Sequence, residues 1–128
     1  MVVTKENVAA HAFAEHLVAL QLPDEVQAKM GRLVGYYEQR RKGAGTPIDI
    51  PLADRNQAIK QKSLLIGCGG GFQQECGQPY SPVAEWMRTA DVALEDEGQQ
   101  YGNMEEAASI ARTPRKCLEI WCGDHSKP

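Results

Sequence analysis

The chain has 128 residues, of which 42% are hydrophobic and 24% are charged, and its formal net charge is −3. This composition is typical of a globular domain that can bury a core without cross-links, and it excludes a wholly disordered chain. The acidic balance argues against a nucleic-acid-binding protein, which needs a basic surface to neutralise phosphates. No apolar run approaches the length of a membrane span.

The charge is unevenly distributed. Residues 1–64 carry a net charge of +2 and residues 65–128 carry −5. The second half contains a set of acidic residues that could face a basic protein partner or could simply form a solvated helical surface. These residues are Asp91, Glu95, Asp96, Glu97, Glu105 and Glu106.

The N-terminus lacks the basic start, apolar middle and small-residue cleavage site of a secretory signal. We therefore expect a cytoplasmic protein, although an exported chain whose leader had been removed would look the same.

Helical periodicity dominates the first half of the sequence. Thr4 can cap a first helix over residues 5–21, whose apolar side chains recur at 3.6-residue spacing. A second helix is predicted from Pro23 to a basic C-terminal turn before Gly43. Its apolar stripe consists of Val26, Met30, Leu33, Val34 and Tyr37. Pro51 is expected to open a third helix that runs to about Ile66.

Glycines end the third predicted helix and introduce a loop over residues 67–80. Ser81 and Pro82 then give the cap-and-proline pattern of a fourth helix. Shorter helices are predicted for residues 103–112 and for a segment from Thr113 to Gly123. The sequence therefore predicts an all-α fold, a single domain spanning residues 1–128 with five or six helices, and loose termini at residues 1–3 and 124–128.

The segment from Ser63 to Gly71 resembles the first motif of nucleotide-type methyltransferases. In that motif an apolar strand runs into glycines that let the backbone approach a cofactor. The likeness ends with this segment, because Gly77 and Pro79 interrupt the helix that should follow and no second strand ends in an acid at the expected distance. We therefore interpret the glycines as a helix-ending loop and predict no cofactor.

The four cysteines, Cys68, Cys76, Cys117 and Cys122, allow three interpretations. With His125 they could hold zinc, although their spacing is unlike that of structural zinc motifs and Cys117 and Cys122 would lie on different sides of one helix. Disulfides could instead clamp the glycine-rich loop to the last helix, as in an exported inhibitor or immunity-type protein. The third interpretation is four reduced thiols, as is usual in the cytoplasm.

Gly31 and Gly35 are the remaining candidates for a functional site. Each glycine costs a helix interior about 1 kcal/mol relative to alanine, so two glycines at i, i+4 suggest a close contact with another helix. We therefore predict that this face packs within the chain or forms an interface with a protein partner or a second copy. No nucleophile–base arrangement stands out, so the sequence favours a small non-catalytic partner-binding protein over an enzyme.

Overall fold

The prediction of an all-α helical bundle is wrong. The computed structural model describes residues 1–34, 45–51, 53, 55–96 and 118–122, and within them the chain forms a six-stranded sheet flanked by helices. Each pair of neighbouring strands is parallel. The protein is therefore of the α/β class.

The elements follow one another along the chain with strands and helices interspersed. The strands are β1 (Val2–Thr4), β2 (Met30–Leu33), β3 (Asp49–Ile50), β4 (Leu64–Cys68), β5 (Val92–Asp96) and β6 (Leu118–Cys122). The helices are α1 (Asn7–Ala19), α2 (Asp24–Gln27), α3 (Arg55–Lys60), α4 (Gly69–Cys76) and α5 (Pro82–Thr89). The strand order is β3-β2-β4-β1-β5-β6.

The two faces of the sheet are covered by different helices. Ala10 and Ala14 of α1 are buried against the face that carries Val2 and Ile66. Residues of α3, α4 and α5 pack on the opposite face, which carries Val3 and Leu65. Parallel strands are joined by right-handed crossovers, so connections that run in opposite directions along a sheet lie on opposite faces. The sheet is therefore doubly wound, with β1 and β4 side by side at its centre.

Burial on both faces explains why the strands were mistaken for helices. Parallel strands covered on both sides read as continuous apolar runs, and such runs lack the period that separates a strand from a buried helix. In the described part of the predicted second helix, residues 23–34, only the turn of α2 is helical, and Met30 begins β2. Met30, Leu33 and Val34 are buried because of the sheet and not because of a helical stripe.

The prediction for the third helix and the glycine-rich loop is also wrong. Of the described residues in the predicted third helix, only Arg55–Lys60 are helical, and Leu64–Cys68 is the central strand β4. The expected loop contains helix α4 instead, and Gly77 is its C-cap. The start of the predicted fourth helix is confirmed as α5, since the Ser81 side chain caps it by accepting from the backbone N–H of Ala84. The expected continuation of this helix through Leu94 is wrong, because α5 ends at Thr89 and Val92–Asp96 forms β5.

The predictions for the chain ends had mixed outcomes. The first helix is confirmed as α1, but the predicted Thr4 cap is wrong, because Thr4 lies in β1 and Glu6 is the N-cap residue. Residues 1–3 are not loose either, because Val2 and Val3 are 5% exposed in the central strand β1. The predicted last helix is wrong where it overlaps β6. The helix predicted for residues 103–112 and the end at 124–128 lie outside the described residues.

A buried ion pair holds the β2–β3 edge of the sheet together. Arg32 is fully buried, and its Nε and Nη2 donate to the two carboxylate oxygens of Asp49 at 2.7 and 3.0 Å. Asp49 also accepts from the Thr46 backbone N–H and hydroxyl. Burial acts to raise the pKa of Asp49, but the hydrogen bonds from Arg32 and Thr46 outweigh it and hold this pKa below its usual range.

Replacing Asp49 by asparagine should destabilise the protein at neutral pH by about 3 kcal/mol, because the Arg32 charge stays buried without its counter-ion. A depressed carboxyl pKa stabilises the fold above the unfolded-state pKa, about 4, and this contribution is lost as pH falls through the folded pKa. Below about pH 4, the free energy of unfolding measured in urea should therefore fall more steeply for the wild type than for Asp49→Asn. The control is Asp24→Asn, which changes an exposed aspartate. If Asp49→Asn and Asp24→Asn lose the same free energy of unfolding at neutral pH, the Arg32–Asp49 ion pair does not stabilise the fold as described.

Tyr80 occupies a backbone conformation that disfavours its side chain. Its φ is +61°, and the residue is fully exposed, so no packing offsets the strain. Tyr80→Gly should raise the free energy of unfolding by about 1 kcal/mol, because glycine adopts positive φ without strain. Tyr80→Ala keeps the Cβ and should give no such gain. Equal stability of the two variants in urea would refute this explanation.

Candidate functional site

A cavity of about 450 Å³ lies at the carboxyl edge of the sheet. It is bounded by the ends of β2 and β4 and by residues from α1, α3 and α4. Its lining consists of Asn7, Leu33, Val34, Arg55, Gly67, Cys68, Gly70, Gly71, Gln74, Glu75 and Gln78. This volume is in the range of sites for small molecules.

The position of the cavity follows from the winding of the chain. β4 pairs with β1 along Val2–Thr4, so the two strands end side by side. The connection after β1 crosses one face of the sheet through α1, whereas the connection after β4 crosses the other face through α4 and α5. A crevice opens where neighbouring connections diverge in this way, and it is the usual ligand site of open α/β sheets.

The turn from β4 into α4 forms one wall of this cavity. Cys68 ends the strand and is also the N-cap of α4, with its Sγ accepting a hydrogen bond from the Gly71 backbone N–H at 3.3 Å. The first turn of a helix leaves backbone N–H groups without helical partners, and these groups favour negatively charged or polar ligands. Gly70 and Gly71 bring this backbone to the cavity surface.

The glycines of the turn differ in what surrounds them. A Cβ at Gly67 would lie 3.1 Å from Cε2 of Phe72, so a side chain there would crowd the buried Phe72 ring. A Cβ at Gly70 would have no atom within 4 Å. Packing inside the protein therefore does not explain Gly70, whereas an open cavity wall does.

Charged and hydroxyl side chains form another wall. The Arg55 guanidinium forms an ion pair with Glu75 through Nη2 and Oε1. The second carboxylate oxygen of Glu75 accepts a hydrogen bond from the Ser81 hydroxyl at 2.7 Å. This chain of contacts joins α3, α4 and the N-cap of α5, so it fixes the shape of the wall.

The candidate zinc ligands do not converge in the described part of the chain. Cys68 and Cys76 begin and end α4, which places them about 12 Å apart along the helix, too far for one ion. No group of three His, Cys, Asp or Glu side chains among the described residues could hold a metal ion. Cys117 and His125 lie outside the described residues, so zinc binding through them stays a prediction.

The geometry also bears on the predicted disulfide clamp. Cys68 and Cys76 are free thiols in the structure. Cys68 ends β4 and Cys122 ends β6, and two further strands separate them, so their backbones lie about 14 Å apart. A disulfide needs Cα atoms within about 7 Å, which rules out a Cys68–Cys122 bridge in this fold.

Cys76 is on the side of α4 that packs into the core. Its Sγ lies 3.9 Å from the sulfur of Met87, and burial raises the pKa of the thiol. It is therefore suited to packing and not to nucleophilic attack.

Gly31 does not form the helical interface that the sequence predicts. It is a buried residue of β2, and a Cβ at this position would lie 2.6 Å from Cδ1 of Ile50. The glycine is explained by packing of the β2–β3 edge within the chain. Gly35 lies outside the described residues.

The acidic surface expected in the second half is only partly described. Glu95 is 3% exposed within β5, so it belongs to the interior and not to a solvated face. Glu97, Glu105 and Glu106 lie outside the described residues. Along the described ranges, none of the helices reaches the length and apolarity needed to cross a bilayer.

Sequence reasoning found one part of this cavity and missed the others. It singled out Cys68 and the glycines, but it missed Arg55, Glu75 and Asn7. The signal for the turn was the apolar run ending in glycines at Ser63–Gly71. Nothing in the sequence indicates that Arg55 meets Glu75, because they lie on different helices.

The chain matches no protein-family model, no curated protein and no solved structure. The geometry of the cavity therefore carries the functional conclusion.

The two glycines of the turn give opposite predictions for stability. Gly67→Ala should lower the free energy of unfolding by about 1 to 3 kcal/mol, because the added methyl group overlaps the Phe72 ring. Gly70→Ala should be neutral or raise stability by up to about 1 kcal/mol, because alanine favours the helix and meets no atom. Urea unfolding of both variants tests this prediction. If Gly70→Ala loses as much free energy of unfolding as Gly67→Ala, the side chain at position 70 does not point into open space.

Proposed function

We propose that this protein binds a small-molecule ligand in the cavity at the carboxyl ends of β2 and β4. The observation that carries the proposal is the position of this cavity at the carboxyl end of β4, where the connections after β4 and after its neighbour β1 leave on opposite faces of the sheet. The glycine wall supports it, since Gly70 leaves room beside the first turn of α4 that no protein atom fills.

The lining suits a polar ligand with an apolar portion. Arg55, Asn7 and the first turn of α4 supply hydrogen-bond donors, whereas Leu33 and Val34 at the end of β2 supply apolar surface. A few directed polar groups beside apolar side chains are the usual composition of a small-molecule site.

The proposal is one of binding and not of catalysis. Among the described residues that line the cavity, Cys68 is the only one with a thiol and none is a histidine. A cysteine nucleophile needs a neighbouring base or a comparable activating group. A cytoplasmic location belongs with this proposal.

Partner binding stays a second proposal, on a different surface from the one the sequence suggested. An apolar groove of about 350 Å³ lies at the amino ends of β2 and β4, and Val26 at this groove is 46% exposed. Self-association through it would make the sedimentation of the wild type concentration-dependent and that of Val26→Asp monomeric. A wild type that is monomeric throughout the concentration series would count against self-association.

A paired substitution tests the small-molecule proposal. Gly70→Leu should fill the cavity, whereas Ala12→Leu adds similar bulk at an exposed position of α1 away from it. A thermal-shift screen with nucleotides, sugar phosphates, carboxylates and neutral metabolites should find compounds that raise the melting temperature of the wild type. We expect the same compounds to stabilise Ala12→Leu and to lose their effect on Gly70→Leu.

Two results would contradict the proposal. One is a set of ligands that stabilise Gly70→Leu as strongly as the wild type, because they would bind elsewhere. The other is a complete screen in which no compound of any class stabilises the wild type.

A further inference from the structure

We propose that the ligand of this cavity carries an oxyanion group, a phosphate or a carboxylate, and that Arg55 is the residue that recognises it. This inference rests on the proposed function and adds the chemical class of the ligand.

The first observation is an incomplete set of hydrogen bonds at Arg55. Its side chain lines the cavity and is 21% exposed, and its Nη2 forms the ion pair with Glu75. The Nε atom of Arg55 is buried and has no hydrogen-bond partner. Buried N–H groups nearly always have a partner, and an exception requires an explanation such as an absent ligand or ion.

The second observation is a comparison within the same molecule. Arg32 uses Nε and Nη2 together, donating to both oxygens of the Asp49 carboxylate. These two nitrogens form a planar fork that matches the oxygens of an oxyanion. Arg55 has the same pair of nitrogens, but of the two only Nη2 contacts a carboxylate. Its Nε is left without a partner and could donate to an oxyanion.

Glu75 contacts the fork of Arg55 through Oε1 only. Its other oxygen, Oε2, accepts a hydrogen bond from the Ser81 hydroxyl at 2.7 Å, and this hydroxyl also accepts from the Ala84 backbone N–H as the N-cap of α5. The carboxylate holds the guanidinium in place at the cavity wall and leaves Nε for another acceptor.

The opposite side of the cavity also favours a negatively charged ligand group. Gly70 and Gly71 belong to the first turn of α4, where the helix dipole and the backbone N–H groups favour an anion. An oxyanion in the cavity would thus have a guanidinium donor on one wall and the positive end of the α4 dipole on another, where the Gly71 N–H already donates to Cys68 Sγ. A neutral ligand would leave Nε unpaired unless it carried an acceptor of its own.

The test is an NMR titration of the full chain with inorganic phosphate and, separately, with malonate, at constant ionic strength. We expect the Nε–H resonance of Arg55 and the amide resonances of Gly70 and Gly71 to shift together and to saturate. Arg55→Gln should bind the oxyanion at least about tenfold more weakly, since a hydrogen bond to a charged group is lost. The relative affinity for phosphate and malonate identifies the preferred oxyanion.

Two further variants separate recognition from general electrostatics. Arg88→Gln removes the same charge from an exposed position of α5 outside the cavity and should bind like the wild type. Arg55→Lys keeps the charge but lacks the fork, so its affinity should fall between those of the wild type and Arg55→Gln. If Arg55→Gln does not fold, the lysine variant and the wild-type Nε–H resonance still decide the matter.

Several results would overturn the inference. Saturable oxyanion binding that is equal in folded Arg55→Gln and Arg88→Gln would remove Arg55 as the recognising residue. If phosphate and malonate do not bind but a neutral compound does, and Gly70→Leu abolishes that binding, the inference fails while the proposed function stands. If no compound of any class binds in the cavity, both fail.

Discussion

The pairing of β4 with both β2 and β1 is the constraint on which the rest of this structure depends. Ile66 of β4 is in register with Arg32 on one side and with Val2 on the other. Because β4 lies between β2 and β1, and β5 pairs with the other side of β1, the connections after β1 and β4 run in opposite directions and cover opposite faces. This single placement gives the double layer of helices, the two separate cores and the crevice at the carboxyl edge.

Two arginines illustrate how the same chemistry can serve folding or binding. Arg32 has both nitrogens of its fork satisfied by Asp49, so it closes the β2–β3 edge and leaves no donor on that edge of the guanidinium. Arg55 is held by one oxygen of Glu75, and the other oxygen accepts from the Ser81 hydroxyl. A buried polar group without a partner destabilises the fold, and such groups are found where a ligand can supply the missing contact.

The sequence predicted the elements that follow simple local rules. α1 and α5 were predicted because their apolar residues recur at helical spacing, and for α5 because Ser81 and Pro82 mark its start. The central strands were missed because β1, β2 and β4 are buried on both faces and show no alternation.

The strand-to-glycine pattern at Ser63–Gly71 was noticed but set aside, since Gly77 and Pro79 were thought to break the following helix. Gly77 in fact ends α4, which is long enough to form the wall of the cavity. The contact between Arg55 and Glu75 depends on the tertiary fold and has no sequence signal.

The most direct test of this account is chemical-shift mapping of the protein with the compounds that stabilise it. The account predicts that perturbed amides cluster at the carboxyl edge, at Asn7, Arg55 and the Cys68–Gly71 turn. Perturbations confined to the amino edge, around residues 24–30 and Lys62, would contradict the central claim, because they would place the ligand site at the opposite end of the sheet.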